Sequence, residues 1–152
     1  RSLPKRRSRP KRRSPRGRDA VAGPGPGLVV RDAHFPGRAP IEAYGNGGFR
    51  FAGMSHRGSL LCLPSGIYGW KEALENRIDP ASLERVFAEG DAIDILLVGT
   101  GLGLVLLDAA VRERCRALHI VAEPMATGAA VRTFNVLLAE ERSVAAALLA
   151  VP

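Results

Sequence analysis

The segment Ile93-Asp94-Ile95-Leu96-Leu97-Val98, closed by Gly99-Thr100-Gly101-Leu102-Gly103, constrains the fold of this 152-residue chain more than any other. A nearly unbroken aliphatic run of this length suits a strand covered on both faces, as strands are in sheets flanked by helices. Beyond the glycine turn, Leu107, Val111, Cys115 and Leu118 recur at helical spacing, with Arg112, Glu113, Arg114 and Arg116 on the other side. His119 to Ala122 then reads as a second strand. Thr127-Gly128 opens a helix from Ala129 to Glu140 with Ala130, Phe134 and Leu137 on one face. Ser143 to Val151 is rich in alanine, which favours helix, but its short, continuous apolarity suits a buried strand, and strand is the reading taken.

Upstream the period differs. Short apolar runs at Leu28–Val30, Ile41–Tyr44, Phe49–Ala52, Leu60–Leu63 and Ile67–Trp70 are cut by Phe-Pro-Gly at 35–37, Gly-Asn-Gly-Gly at 45–48, Ser-His-Arg-Gly at 55–58 and Pro-Ser-Gly at 64–66. This is the pattern of an antiparallel β meander. Asp79 can cap a helix with Pro80 at its first position, Leu83, Val86 and Phe87 forming an apolar stripe and Gly90 at its end. The expected fold is therefore a single α/β domain with a mixed central sheet, an N-terminal meander leading into strand-helix-strand-helix-strand.

Charge is unevenly distributed. The net +7 arises from residues 1–18, which hold ten Lys or Arg and no acid; the rest carries 12 basic and 15 acidic residues, a net −3. Residues 1–27, ending in Gly-Pro-Gly-Pro-Gly, read as a disordered basic tail and linker before a domain at 28–152. Such a tail attracts polyanions weakly and without specificity, and it has no aromatic residue to stack on bases. No specific nucleic-acid partner is expected. The longest uncharged apolar stretch, Ile95–Leu107, has 13 residues and three glycines, short of the roughly 18 that a membrane-spanning helix needs. Cys62 and Cys115 are too few for a disulfide scaffold and read as small core residues of a protein in a reducing compartment, the cytoplasm, or the mitochondrial matrix if the source is eukaryotic.

Catalytic patterns are sparse. His34, His56 and His119 lie far apart and no cysteine pair accompanies them, so no metal is expected. Ser55-His56 would point to opposite faces of a strand, and Ser65 lacks the glycine that a nucleophile elbow needs two residues upstream. Tyr68 and Trp70 read as core aromatics. Gly99-Thr100-Gly101 after a strand and before a helix suggests a dinucleotide turn, but the third glycine of that fingerprint belongs where Leu104 stands. No catalytic residue and no cofactor is assigned. Two readings of the remaining candidates, Gly99, Thr100, Gly101, Thr127, Gly128, Arg132 and Asn135, stay open: a contact surface for a protein partner, or a site where two helix starts and Arg132 receive a small anion or nucleotide in an enzyme or sensor.

Four segments in order, Tyr44-Gly-Asn-Gly-Gly-Phe-Arg-Phe51, Gly58-Ser-Leu-Leu-Cys-Leu-Pro-Ser-Gly-Ile-Tyr-Gly-Trp70, Val98-Gly-Thr-Gly101 and Thr127-Gly-Ala-Ala-Val-Arg-Thr-Phe-Asn-Val-Leu137, resemble the Mth-like domain family of uncertain biochemistry, which includes the mitochondrial complex I assembly factor three. The resemblance spans residues 28–151. It implies a three-layer α/β domain and no established active site. It also implies a non-catalytic protein-interaction module that aids biogenesis of a membrane complex, with a respiratory complex or its assembly intermediates as partner. Ala126 and Val131 depart from the family pattern, which often has an acid and a cysteine there.

Overall fold

The computed structural model describes residues 34–73 and 77–152. The expected tail and linker, and the strand expected at Leu28–Val30, lie outside the described residues.

The strands are β1 (His34–Pro36), β2 (Ile41–Gly45), β3 (Gly48–Phe51), β4 (Met54–Arg57), β5 (Leu60–Leu63), β6 (Gly66–Gly69), β7 (Ile95–Gly99), β8 (Val121–Met125) and β9 (Val144–Leu148). The helices are α1 (Glu84–Ala88), α2 (Ala109–Ala117) and α3 (Thr127–Ala139). A six-stranded mixed sheet runs β1-β6-β5-β9-β7-β8, and β2-β3-β4 form a separate antiparallel sheet.

The aliphatic run becomes β7, with parallel partners on both sides: Ile95 stands opposite Val121 of β8 and Val144 of β9. β9 lies between β5 and β7, and all five of its residues are buried. Its alanines adopt strand because both backbone edges are paired, and their small side chains let the two covering layers approach closely.

Alternation along β5, β7 and β9 divides the core in two. Leu61, Leu63, Leu96, Val98, Ala145 and Ala147 meet α1, α2 and Trp70 on one face. Leu60, Cys62, Leu97, Val144, Ala146 and Leu148 meet α3 and the inner side of the small sheet on the other. The three layers are thus a helical layer, the large sheet, and a layer of α3 with the small sheet. Parallel crossovers are right-handed. The step from β7 to β8 and the return step from β8 across β7 to β9 therefore place α2 and α3 on opposite faces.

Several local expectations are met. Asp79 accepts the Ser82 amide at 2.9 Å, Pro80 opens the 3-10 turn Pro80–Leu83, and α1 follows. Trp70 is core, its indole N–H donating to the Ser82 carbonyl at 2.7 Å. Cys62 and Cys115 are both buried, and burial pushes both thiols up from their ordinary range.

The meander needs three corrections. It splits between two sheets, because β5 and β6 join β9 and β1 while β2, β3 and β4 pair only with one another. Ser55-His56-Arg57, expected in a turn, is strand β4; His56 faces inward and its neighbours outward, an alternation concealed by three polar side chains. The reversal lies earlier, at Ala52-Gly53, both with positive φ. Phe35-Pro36, expected in a break, belongs to β1, where proline is tolerated because that strand forms the sheet edge.

Candidate functional site

In open α/β sheets, ligands favour the carboxyl ends of adjacent strands whose following helices leave to opposite faces. Here those strands are β7 and β8. A side chain on Gly99 would come within 3.0 Å of Thr127 and 3.1 Å of Leu148, so this glycine is what lets the start of α3 close on the strand.

The turn after β7 is laced to the start of α3. The Thr127 amide donates to the Gly101 carbonyl at 2.8 Å, and the Gly101 amide donates to the Thr127 hydroxyl at 3.0 Å. That hydroxyl, fully buried, donates in turn to the Leu149 carbonyl at 2.8 Å beyond β9. Thr100 organises the turn itself: its hydroxyl donates to the Gly103 carbonyl at 2.7 Å and accepts the Val105 amide at 3.0 Å, while its amide donates to the Met125 carbonyl at 2.8 Å. Two threonines thus join the ends of β7, β8 and β9.

The other candidates separate. The Tyr44 ring lies against Gly128, where any side chain would strike it, so the small sheet reaches over the start of α3. Asn135 is occupied with backbone: it accepts the Ile41 amide at 2.8 Å and donates to the Ile41 carbonyl at 2.9 Å, holding α3 to β2. Arg132, one turn earlier on the helix, is exposed. α3 starts at Ala126, which supplies no side-chain cap.

Tyr44 and the segment after the turn were not singled out among the candidates. Leu102, Leu104, Val105 and Leu106 are each 59–78% exposed, projecting four large aliphatic side chains from one loop. Their uncharged composition marked them as apolar but could not distinguish projection from burial. Beside the loop lies a cavity of about 420 Å³ bounded by Arg77, Asp79, Thr100, Leu106, Asp108 and Leu149. Asp79 is engaged in its cap and Thr100 in its turn. Among the described residues no three His, Cys, Asp or Glu side chains gather as a metal site would require, and no helix is long and apolar enough to cross a membrane.

Comparison with known proteins agrees with this architecture. A crystal structure of an outer membrane protein from Bartonella henselae is 56% identical, with a TM-score of 0.76, over 78% of this chain and all of that one. An NMR structure from Rhodopseudomonas palustris is 47% identical, with a TM-score of 0.71, over 88% of this chain and 93% of that one. An uncharacterized protein of Rhodobacter capsulatus is 39% identical over 125 residues, 82% of this chain and 95% of the relative. The NADH dehydrogenase [ubiquinone] 1 alpha subcomplex assembly factor 3 of Danio rerio is 33% identical over 112 residues, 74% of this chain but only 64% of that protein's length. Residues 41–149 match the family described as protein of unknown function (DUF498/DUF598). The chain belongs to this family, built on the Mth938-like α/β fold and related to the complex I assembly factors of vertebrates.

Proposed function

We propose that this protein is a non-catalytic interaction module that assists assembly of a membrane-bound respiratory complex, working at the cytoplasmic face or, in a mitochondrion, the matrix face. The observation that carries the reading is the Leu102–Leu106 loop. Exposing four neighbouring large aliphatics is unfavourable in a lone globular protein, and such patches are characteristic of protein contacts. Burying them against a partner contributes about 1.5–3 kcal/mol per side chain fully removed from water. The lacing of Gly99, Thr100, Gly101 and Thr127 holds the base of the loop, reducing the entropy lost on docking. The names of the vertebrate relatives support assembly as the role.

The test is co-purification of the full chain from mildly solubilised membranes, beside a Leu104→Asp/Leu106→Asp variant. Both residues are exposed, so the variant should keep the thermal midpoint of the parent. Respiratory subunits or assembly proteins retained by the parent and lost by the variant are the expected result. Equal retention by both, or none by either, overturns the proposal.

A second reading places a small anion or nucleotide at the start of α3. It draws on the lack of a side-chain cap at Ala126 and on the exposed Arg132 one turn inside. A ligand at 100 times its dissociation constant stabilises by about 2.7 kcal/mol. Thermal shifts across a panel of nucleotides and organic acids, repeated with Arg132→Ala, decide it; a flat panel refutes this reading and leaves the first untouched.

A further inference from the structure

The outer face of the small sheet is separate from everything described above. In the β2-β3-β4 register, Gly45 stands opposite Gly48 and Gly48 opposite Arg57, while Ala43 stands opposite Arg50 and Arg50 opposite Ser55. Phe49 and His56, between these two rows, are buried on the inner side. The outer face therefore consists of two glycines, an alanine, a serine and two exposed arginines, with exposed Glu42 at its edge, where the register shift between Ile41 and Ala43 leaves it accepting the Gly53 amide at 3.2 Å. Arg50 and Arg57 are diagonal neighbours, about 7–8 Å apart at the backbone, within reach of a common anion. The face is concave, enclosing about 370 Å³, and both arginines line it with Ser55 and Asn46.

Two like charges on adjacent strands repel, and the nearby Glu42 carboxylate is engaged with the Gly53 amide and forms no ion pair with either arginine among the described residues. Here Arg50 donates to the Ser55 hydroxyl at 3.0 Å, and the Arg57 guanidinium has no hydrogen bond or ion pair among the described residues. Each guanidinium presents a planar fork of donors that matches the oxygens of a phosphate or carboxylate. The number of charges selects between these anions. A carboxylate balances one arginine, whereas a phosphate monoester carries about −1.5 to −2 near neutral pH and offers three acceptor oxygens, enough for both forks. The floor of small residues leaves room for the phosphoryl group to lie between them.

We propose that the outer face of the β2-β3-β4 sheet is a binding site for a phosphate monoester, clamped between Arg50 and Arg57. The phosphoryl group could belong to a small metabolite or to a phosphorylated side chain of another protein; the chemistry at the clamp is the same, and the site does not depend on the assembly role proposed above.

The test is direct binding by equilibrium dialysis at low ionic strength, using the full chain and phenyl phosphate, with benzoate as the carboxylate control. Arg50→Ala, Arg57→Ala and Arg132→Ala variants run alongside. All three side chains are exposed, and an unchanged thermal midpoint verifies folding. The expected result is saturable binding of phenyl phosphate, weakened at least tenfold by either Arg50→Ala or Arg57→Ala and unchanged by Arg132→Ala, with benzoate at least tenfold weaker than phenyl phosphate. The basic residues 1–18 are identical in every variant, so binding that is indifferent to Arg50 and Arg57 overturns the site, as does the absence of saturable binding. Equal affinity for benzoate overturns its selectivity for phosphate. Comparing O-phosphoserine with a phosphoserine hexapeptide then identifies the source: tighter binding of the free amino acid supports a metabolite, and tighter binding of the peptide supports a modified protein.

Discussion

Replacing Thr127 by valine preserves the shape and branching of the side chain while removing the hydroxyl that joins three strand ends. Two backbone groups lose their partner: the Leu149 carbonyl, 2.8 Å away, and the Gly101 amide, 3.0 Å away. Thr127 is fully buried and Leu149 is 3% exposed, so water cannot readily replace the bond to the carbonyl. A buried polar group left unpaired costs about 1–3 kcal/mol. The Gly101 amide is only half-buried and recovers part of its loss through solvent. Together these give a destabilisation of about 2–3 kcal/mol, equivalent to a fall in thermal midpoint of about 4–12 °C for a domain of this size. Thr127→Ser retains the hydroxyl and removes one methyl group, so its cost should stay near 1 kcal/mol. Urea denaturation of all three proteins, with unchanged m-values to show that the same surface unfolds, measures both differences. A valine variant within about 0.5 kcal/mol of the parent, or no more affected than the serine variant, would refute the claim that this hydroxyl ties the turn after β7 and the end of β9 to the start of α3.

Asn135→Leu leaves the amide and carbonyl of buried Ile41 without their side-chain partners and should cost about 2–4 kcal/mol, with faster hydrogen exchange at the Ile41 amide as the local signature. Ala52 turns the β3–β4 hairpin at φ 48°, where a Cβ is strained, so Ala52→Asn should raise stability by about 0.5–1 kcal/mol in the same urea assay. Because burial raises the Cys62 thiol in the folded state, the unfolded chain releases that proton first as alkali is added. Stability from this group is complete below about pH 8.5 and then falls by up to about 1.4 kcal/mol per pH unit. Cys62→Ala should flatten that alkaline slope in a pH series of denaturation curves; an unaltered slope would show that Cys62 does not cause it.

Much of the architecture was legible because it rests on periodicity. The core strand β7, the spacing of Val111 and Cys115 on α2, and the Asp79-Pro80 start are local patterns that any burial of this chain must respect. β9 was a closer decision, since alanine's intrinsic preference is for helix; pairing along both strand edges outweighed it. The failures at β1 and β4 share a cause. A strand of mixed polarity shows its alternation only once the inward face is known, and nothing local to Ser55-His56-Arg57 indicates that His56 is buried and its neighbours face water.

The candidate residues divide along the same line. Adjacent to a glycine turn, Thr100 and Thr127 were recognisable as sites where a chain reversal meets a helix start, because that depends on residues close in sequence. Their actual partners, at Leu149 and Met125, and the clasp of Asn135 on Ile41 across 94 positions, depend on which distant backbone groups are left without a bond after packing. Leu102–Leu106 shows the limit most clearly. An aliphatic run following a strand reads as core in composition, and solvent exposure is a property of the surface that the other elements leave uncovered. The amino-acid order alone determined the layers, the helix starts and the central strand through local steric and hydrophobic preference; only the tertiary structure decided which threonine hydroxyls were already bonded, which arginines stood together on one face, and which leucines remained in water.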